Sequence, residues 1–540
     1  MDIITKPKPV ILVLCTSSTA PGHVLPLCTI TKHLVGRGYE VTFVGGVQHR
    51  ALIEASGAAF FAVHDSISLA KGPFRQWGME RARFAEGLPR MRHDFATFFV
   101  GQVAGQFAST SAALLHLRRR YGSARDVLVI NECMWFGYLP FKFGAPPPEG
   151  FFPDGDDGAQ RAMPRSLGVN VTPLMLDSVD TPAMPLGLLP VPPPETASSS
   201  SPDLAAAVRE RDALIRDLLY KYVVRESYDA FREQLRACGA TAVPDEWMVN
   251  LSVTAHDTTL QLCDAALEYP RSDLPAHVRF AGSLPPRPPP PGGFALPAWW
   301  ERDVLAPAAA ASGATATAPK QPRRHVVVVS QGTLARDYSM LVAPTVAALA
   351  GREDVLLVVL LGKPGAELPP GILPPAAAAA ANSHGNNGAC PTTNGHGHSG
   401  EHTSKPGNHA AEQPHDNIRV ADFIPYDAVL AHASAMVFNG GYGGFGHCVA
   451  HGVPMVAAGL TEDKCEVAAR AEWAGVAVNL RTGRPSAAAV AAAVDRVLYG
   501  EAEAGGGVSR YAARARELVA LVARGDPLGL VEQEVLALTA

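Results

Sequence analysis

The first readable pattern is a continuous apolar run, Val10-Ile11-Leu12-Val13-Leu14. A polar loop from Cys15 to Gly22 follows, then apolar residues at helical spacing from Val24 to Val35 that stop at Gly36-Arg37-Gly38, then a second run, Glu40-Val41-Thr42-Phe43-Val44. Unbroken apolar strands belong to parallel sheets covered on both faces, and the strand, helix, strand order with a right-handed crossover predicts a doubly wound sheet. Asp126-Val127-Leu128-Val129-Ile130 predicts another strand, ending at Asn131-Glu132. Between Ala205 and Ala237, Leu214, Leu218, Leu219 and Tyr222 recur among charged residues and predict a long amphipathic helix or helix pair.

The second half restarts the pattern. His325-Val326-Val327-Val328-Val329 reads as a strand, Ser330-Gln331-Gly332-Thr333 as a loop, Leu341 to Leu349 as a helix and Val355 to Leu360 as a strand. Before it lies a proline run, Pro285-Pro286-Arg287-Pro288-Pro289-Pro290-Pro291, and an Ala/Thr/Ser stretch. The expected division is therefore an N-terminal α/β domain over 1–285, a linker over 286–322 and a second α/β domain over 323–540. Two such domains facing each other leave a cleft at the carboxyl ends of both sheets, where ligands of open α/β sheets bind. Residues 369–416 are rich in Ala, Gly, Asn and Pro and predict a disordered insertion; their histidines are too irregularly spaced to predict a metal site.

Composition narrows the function classes. The 540 residues are 47% hydrophobic, enough for sizeable cores, and carry a net charge of −5 with no long basic run, which argues against a nucleic-acid partner. The eight cysteines form no C-x-x-C pair, so reduced thiols and no structural zinc are expected. No segment reaches about 18 uninterrupted apolar residues, so no transmembrane anchor and a cytoplasmic location are expected.

The densest chemical signal is Phe438-Asn439-Gly440-Gly441-Tyr442-Gly443-Gly444-Phe445-Gly446, after the apolar run from Ala435. Glycines at the entrance to a helix let bare N–H groups approach an anion where the helix dipole also favours negative charge, so a diphosphate is expected there. The same glycines formally match a dinucleotide fingerprint, with Asp463 roughly 20 residues further on. Only His447 to His451 separate the last glycine from Gly452-Val453-Pro454, too few for a full crossover helix, which argues against that reading. His23, in Pro21-Gly22-His23-Val24, stands where a helix begins; the positive helix end disfavours imidazolium and predicts a neutral ring able to accept a proton. Glu132 closes its strand and would reach the same sheet edge if the two strands are neighbours, orienting the ring. Asp463 and Glu462 offer carboxylates suited to sugar hydroxyls, and Lys464 a cation.

These residues resemble the family 1 glycosyltransferases, soluble enzymes of GT-B fold that use nucleotide sugars. Pro21-Gly22-His23-Val24-Leu25-Pro26 and Arg37-Gly38-Tyr39-Glu40-Val41 are similar to that family's opening. Gln331-Gly332-Thr333, Phe423-Ile424-Pro425-Tyr426, the Asn439 to Gly444 loop, His451-Gly452-Val453-Pro454 and Glu462-Asp463-Lys464 resemble its donor site. The order is kept along nearly the whole chain, and Thr172 to Ser178 and Leu267 to Pro275 look closer to a microbial branch.

The resemblance implies deprotonation of an acceptor by His23, assisted by Glu132, and displacement with inversion at the anomeric carbon. It further implies phosphate contacts from Gly332 and Thr333, a base border at Pro425, a diphosphate held by Gly441, Gly443 and Gly444, and sugar contacts from Asp463 and Lys464. Metal and cofactor are not required; the nucleoside diphosphate sugar, a UDP-sugar by expectation, is a co-substrate. The chain departs from the family pattern in carrying Asn439 where many members have histidine, His447 where a ribose-binding glutamate often stands, and Glu132 in place of aspartate. The apolar stretches Phe95 to Phe107 and Met134-Trp135-Phe136 predict a small, largely apolar acceptor. Alternatives are an epimerase of the same fold and a catalytically silent sugar-nucleotide-binding protein.

Overall fold

A computed structural model of the protein describes residues 7–16, 21–69, 76–123, 125–152, 162–182, 190, 202–286, 294, 296–307, 324–333, 335–373, 417–500 and 507–540. Most of the low-complexity insertion and most of the proline and alanine linker lie outside them. The first sheet runs β1 (Val10–Leu14), β2 (Glu40–Gly45), β3 (Ala59–Ala62), β4 (Val127–Glu132), β5 (Ser166–Asn170), β6 (Thr258–Gln261) and β7 (Val278–Phe280) in chain order. In space the order is β3-β2-β1-β4-β5-β6-β7, all parallel.

The second sheet comprises β8 (His325–Ser330), β9 (Val355–Leu360), β10 (Ile418–Ala421), β11 (Ala435–Phe438), β12 (Met455–Ala457) and β13 (Ala477–Asn479), ordered β10-β9-β8-β11-β12-β13 and again parallel. Each sheet reverses its strand order once, between β1 and β4 and between β8 and β11. A crevice opens beyond the carboxyl ends of the strands at such a reversal. The expected strand ending at Ile130 extends two residues further, pairing Leu14 with Asn131 and bringing Glu132 to the crevice.

Both sheets are covered on two faces, which is why their strands are buried almost throughout. Not every apolar stripe is used this way. Leu214, Leu218 and Tyr222 are exposed on helix Pro202–Leu219 and the π-helical turn after it, whereas Tyr228, Phe231 and Leu235 of the following helix Arg225–Ala237 are buried.

The lobes exchange elements near the expected boundaries. Within the expected linker, residues 298–305 are helical, and Trp300 and Val304 join the second lobe's core beside Ile424 and Val429. Cys263 and Leu267, placed by sequence in the first domain, belong to that core as well. The final helix Pro527–Thr539 returns to the first lobe, where Val531 and Val535 pack with Ile11, Leu27 and Ile130. Among the described residues no helix is long and apolar enough to cross a membrane.

Candidate active site

His23 caps helix Val24–Gly36 by position, but its side chain makes no capping bond. The ring turns instead to Glu132, with Nδ1 2.7 Å from Oε1. The two arrive from β1's loop and β4's end, which the register of adjacent strands brings to one edge. Glu132 is completely buried and its oxygens are taken up: Oε1 also accepts from the Met134 amide at 3.1 Å and the Cys133 thiol at 3.1 Å, and Oε2 from the Thr16 amide at 3.3 Å. Burial favours protonating this carboxyl, but His23 and the donors around it win and hold it below the usual range. An ionised acceptor fixes the hydrogen of His23 on Nδ1 and leaves Nε2 to accept a proton.

The expectation that the helix end keeps the imidazole less basic is corrected here. Burial does lower its proton affinity, but the Glu132 charge, the hydrogen bond and a smaller contribution from Asp463 outweigh it, and the His23 pKa lies above its ordinary value. A full charge at contact distance exceeds the roughly half charge of a helix terminus. Among the described residues, His23, Glu132 and Cys133 also form a trio whose donor atoms lie within 4.8 Å of one another. Burial first, and the Glu132 charge second, raise the Cys133 thiol well above its usual range, so the set fits a hydrogen-bonded base better than a metal centre.

Cys133 and Met134, which both bond Glu132, also line a small apolar pocket. Phe95, Phe99, Met134, Phe136, Met175 and Met248 form its apolar walls, with Asn170, Thr172 and Ser252 as polar points. Of the aromatic stretches noted in the sequence, Trp135 turns away into the core and donates to Thr110 Oγ1 at 3.0 Å, and Phe107 packs on Phe141.

The second sheet's reversal carries the residues expected at the donor site. Gly332 has φ +71, and its carbonyl would lie 2.3 Å from a Cβ at Gly362, so the two turns pack backbone on backbone. Thr333, beside it, is exposed. The Asn439 amide donates to the Gln331 carbonyl at 2.6 Å, which ties the loop after β11 to the loop after β8 and commits one of its two hydrogens. Gly440 has φ +80, and a Cβ there would sit 2.6 Å from the Lys464 carbonyl.

Helix Tyr442–His451 starts directly after Gly441, so Gly443 and Gly444 occupy its first turn rather than a loop, and the helix is longer than the sequence suggested. Gly444 faces Phe438, whereas nothing lies within 4 Å of a Cβ at Gly443. Pro425 precedes helix Tyr426–Leu430. His447 Nδ1 lies 2.7 Å from Asp427 Oδ1, and His451 Nε2 lies 3.0 Å from the same oxygen. Burial raises the Asp427 pKa, but the two imidazoles prevail and hold it at about 2. Asp427 carries no motif of its own and is found only through the fold.

Asp463 stands at the head of helix Lys464–Trp473 without capping it. Burial first, and then Glu462, raise its pKa against the pull of Lys464 and His23. Asp463 and His23 shift each other's proton affinity, and the Arg81–Glu462 ion pair joins the lobe of the base to the turn that carries Asp463. Lys464 Nζ bonds Glu462 and lies 3.2 Å from Thr461 Oγ1.

Residues 404–516 match the family described as "Erythromycin biosynthesis protein CIII-like, C-terminal domain". The chain is 32% identical to UDP-glucosyltransferase 1 of Beauveria bassiana over 97% of its own length and 94% of the relative's. It is 30% identical to 4'-demethylrebeccamycin synthase of Lentzea aerocolonigenes over 90% of this chain and 91% of that one. Solved structures with the same fold include the kitacinnamycin glycosyltransferase, at TM-score 0.58 and 18% identity, covering 98% of this chain and 99% of that one. The calicheamicin glycosyltransferase CalG4 follows at TM-score 0.54 and 16% identity, covering 98% of each chain. On this likeness over almost its entire length, the chain belongs to the family 1 glycosyltransferases, as a UDP-glycosyltransferase of GT-B fold.

Proposed function

We propose that the enzyme transfers glucose from UDP-glucose to a hydroxyl group of a small, largely apolar acceptor, with inversion at the anomeric carbon. The observation that carries this reading is the His23–Glu132 dyad, whose carboxylate accepts from Cys133 and Met134 in the lining of an apolar pocket. The acceptor lies against Phe95, Phe99 and Met134 with its hydroxyl toward His23 Nε2. As the oxygen attacks the anomeric carbon, its proton passes to Nε2, and Glu132 stabilises the imidazolium that results. The bond between the anomeric carbon and the diphosphate oxygen breaks on the opposite face, and UDP leaves with the electron pair.

The diphosphate sits at the start of helix Tyr442–His451, where free N–H groups and the dipole favour an anion and Gly443 leaves room for it. Gly332 and Thr333 border the phosphates, Pro425 the base, and Asp463 and Lys464 the sugar. No metal or cofactor takes part; the nucleotide sugar is itself a substrate. The relatives' names support glucose as the sugar.

The test is incubation with UDP-glucose and a panel of phenols, sterols and macrolides. UDP release matched by a new β-glucoside is expected, since the donor is an α-glycoside. An α-linked product, or donor consumption that yields an epimerised nucleotide sugar, overturns the reading.

A further inference from the structure

The turn that carries Asp463 and Lys464 is held from the other lobe. Glu462 has φ +51, a left-handed conformation that non-glycine residues adopt only when their surroundings impose it. Two cations hold its carboxylate here. Lys464 bonds one carboxylate oxygen, and Arg81 Nη2 lies 2.6 Å from the other. Arg81 belongs to helix Trp77–Arg81 of the first lobe and is itself fixed, with Nε 2.9 Å from both oxygens of Asp94. That helix is docked by Trp77, which packs on Phe98 at 5.0 Å and donates to Thr97 Oγ1 at 3.1 Å. Asp94 immediately precedes Phe95, a wall of the apolar pocket. A continuous contact therefore runs from that pocket through Asp94 and Arg81 to Glu462.

We infer that Arg81 is a positioning residue that shapes the sugar-binding turn Glu462–Lys464 from the acceptor lobe, so that grip on the donor sugar depends on the lobes being together. Arg81 acts on the turn and not on the nucleotide, whose expected contacts lie on other loops. The inference rests on the donor site described under Proposed function.

Calorimetry on the full chain with UDP-glucose and with UDP alone tests it. Arg81→Gln should weaken UDP-glucose binding by about fivefold while UDP binds as in the wild type, because an ion pair of this exposure contributes on that scale. Glu462→Gln should give the same selective loss, the double variant no more than either single one, and Arg81→Lys should recover part of it. A merely structural role would weaken both ligands alike. Equal losses for the two ligands, unchanged UDP-glucose binding, or additive losses in the double variant overturn the role of Arg81. A wild-type chain that binds neither ligand overturns the donor site itself, and the role of Arg81 with it.

Discussion

At the scale of single residues, the proposed mechanism turns on the charge state of His23. Its pKa stands above the ordinary 6.5 because the Glu132 carboxylate outweighs burial. In the proposed mechanism the neutral ring accepts the proton, so kcat/KM should rise with pH through an ionisation above 6.5 and then level off. Replacing Glu132 by Gln removes the main cause, so the inflection should move to lower pH and the plateau rate should fall by about 10²-fold or more. His23→Ala should abolish transfer and leave donor affinity intact, read by rate assays over pH and by calorimetry. Both residues were legible in the sequence, one at a helix start and one at a strand end. The sign of the His23 shift was not, because it depends on a 2.7 Å contact between positions 109 apart in the chain.

A second residue-scale consequence concerns Asp427. Its folded pKa of about 2 lies below the ordinary 3.8, so its bonds to His447 and His451 contribute stability in full above 3.8, and that contribution is lost as pH falls through 2. Because the group is partly exposed, about 1–2 kcal/mol is expected rather than the whole converted shift. Urea unfolding at pH 7 should show Asp427→Asn destabilised by that amount, with the gap to the wild type narrowing toward pH 2. Nothing in the sequence singles out Asp427, since its partners are set by the packing of helix Tyr426–Leu430 against helix Tyr442–His451.

At the scale of elements, the glycine-rich segment separates two kinds of glycine. Gly440 needs both its positive φ and its missing Cβ, because the Lys464 carbonyl would meet a side chain at 2.6 Å. Gly440→Ala should therefore cost about 1–3 kcal/mol in unfolding free energy and abolish donor binding. Gly443 is helical with open space around it, so Gly443→Ala should stabilise the fold by about 0.5–1 kcal/mol through helix propensity and still weaken UDP-glucose binding by crowding the diphosphate. A rise in thermal stability together with a loss of affinity would identify that helix start as the phosphate site. The sequence located this segment but underestimated its helix. Glycines are poor helix formers, and only the packing of Phe445, Cys448 and Val449 into the core, with the left-handed Gly452 as terminator, shows that the helix runs from Tyr442.

At the scale of the whole molecule, the two lobes are tied by charge as well as by chain. Arg470, on the helix headed by Asp463, is buried between Glu268 and Glu466, with Nε 2.8 Å from Glu268 and Nη1 bonded to Glu466. Its Nη2 donates to the Leu174 carbonyl at 3.0 Å, in the strand-end loop that also supplies Thr172 and Met175 to the apolar pocket. Glu268 Oε1 accepts from the Leu174 amide at 2.8 Å, so one residue of the first lobe is gripped from both sides. Burial alone would lower the affinity of Arg470 for its proton, but Glu268 and Glu466 raise it, and the guanidinium stays charged. Arg470→Ala would leave buried Glu466 without its bonded cation and Glu268 with Arg271 alone, 3.5 Å away, which costs about 3–5 kcal/mol. Adding Glu466→Gln should recover much of the stability, because that carboxylate's desolvation penalty disappears along with the attraction while Glu268 keeps Arg271. Recovered stability without recovered transfer would show that the ion network sets the alignment of acceptor loop and donor helix. Full recovery of both would confine its role to holding the fold. Chemical denaturation and initial rates on the same variants distinguish the two, and the first outcome is expected because a neutral amide can fill the space but does not fix a guanidinium-sized spacer between Leu174 and the helix that presents Asp463.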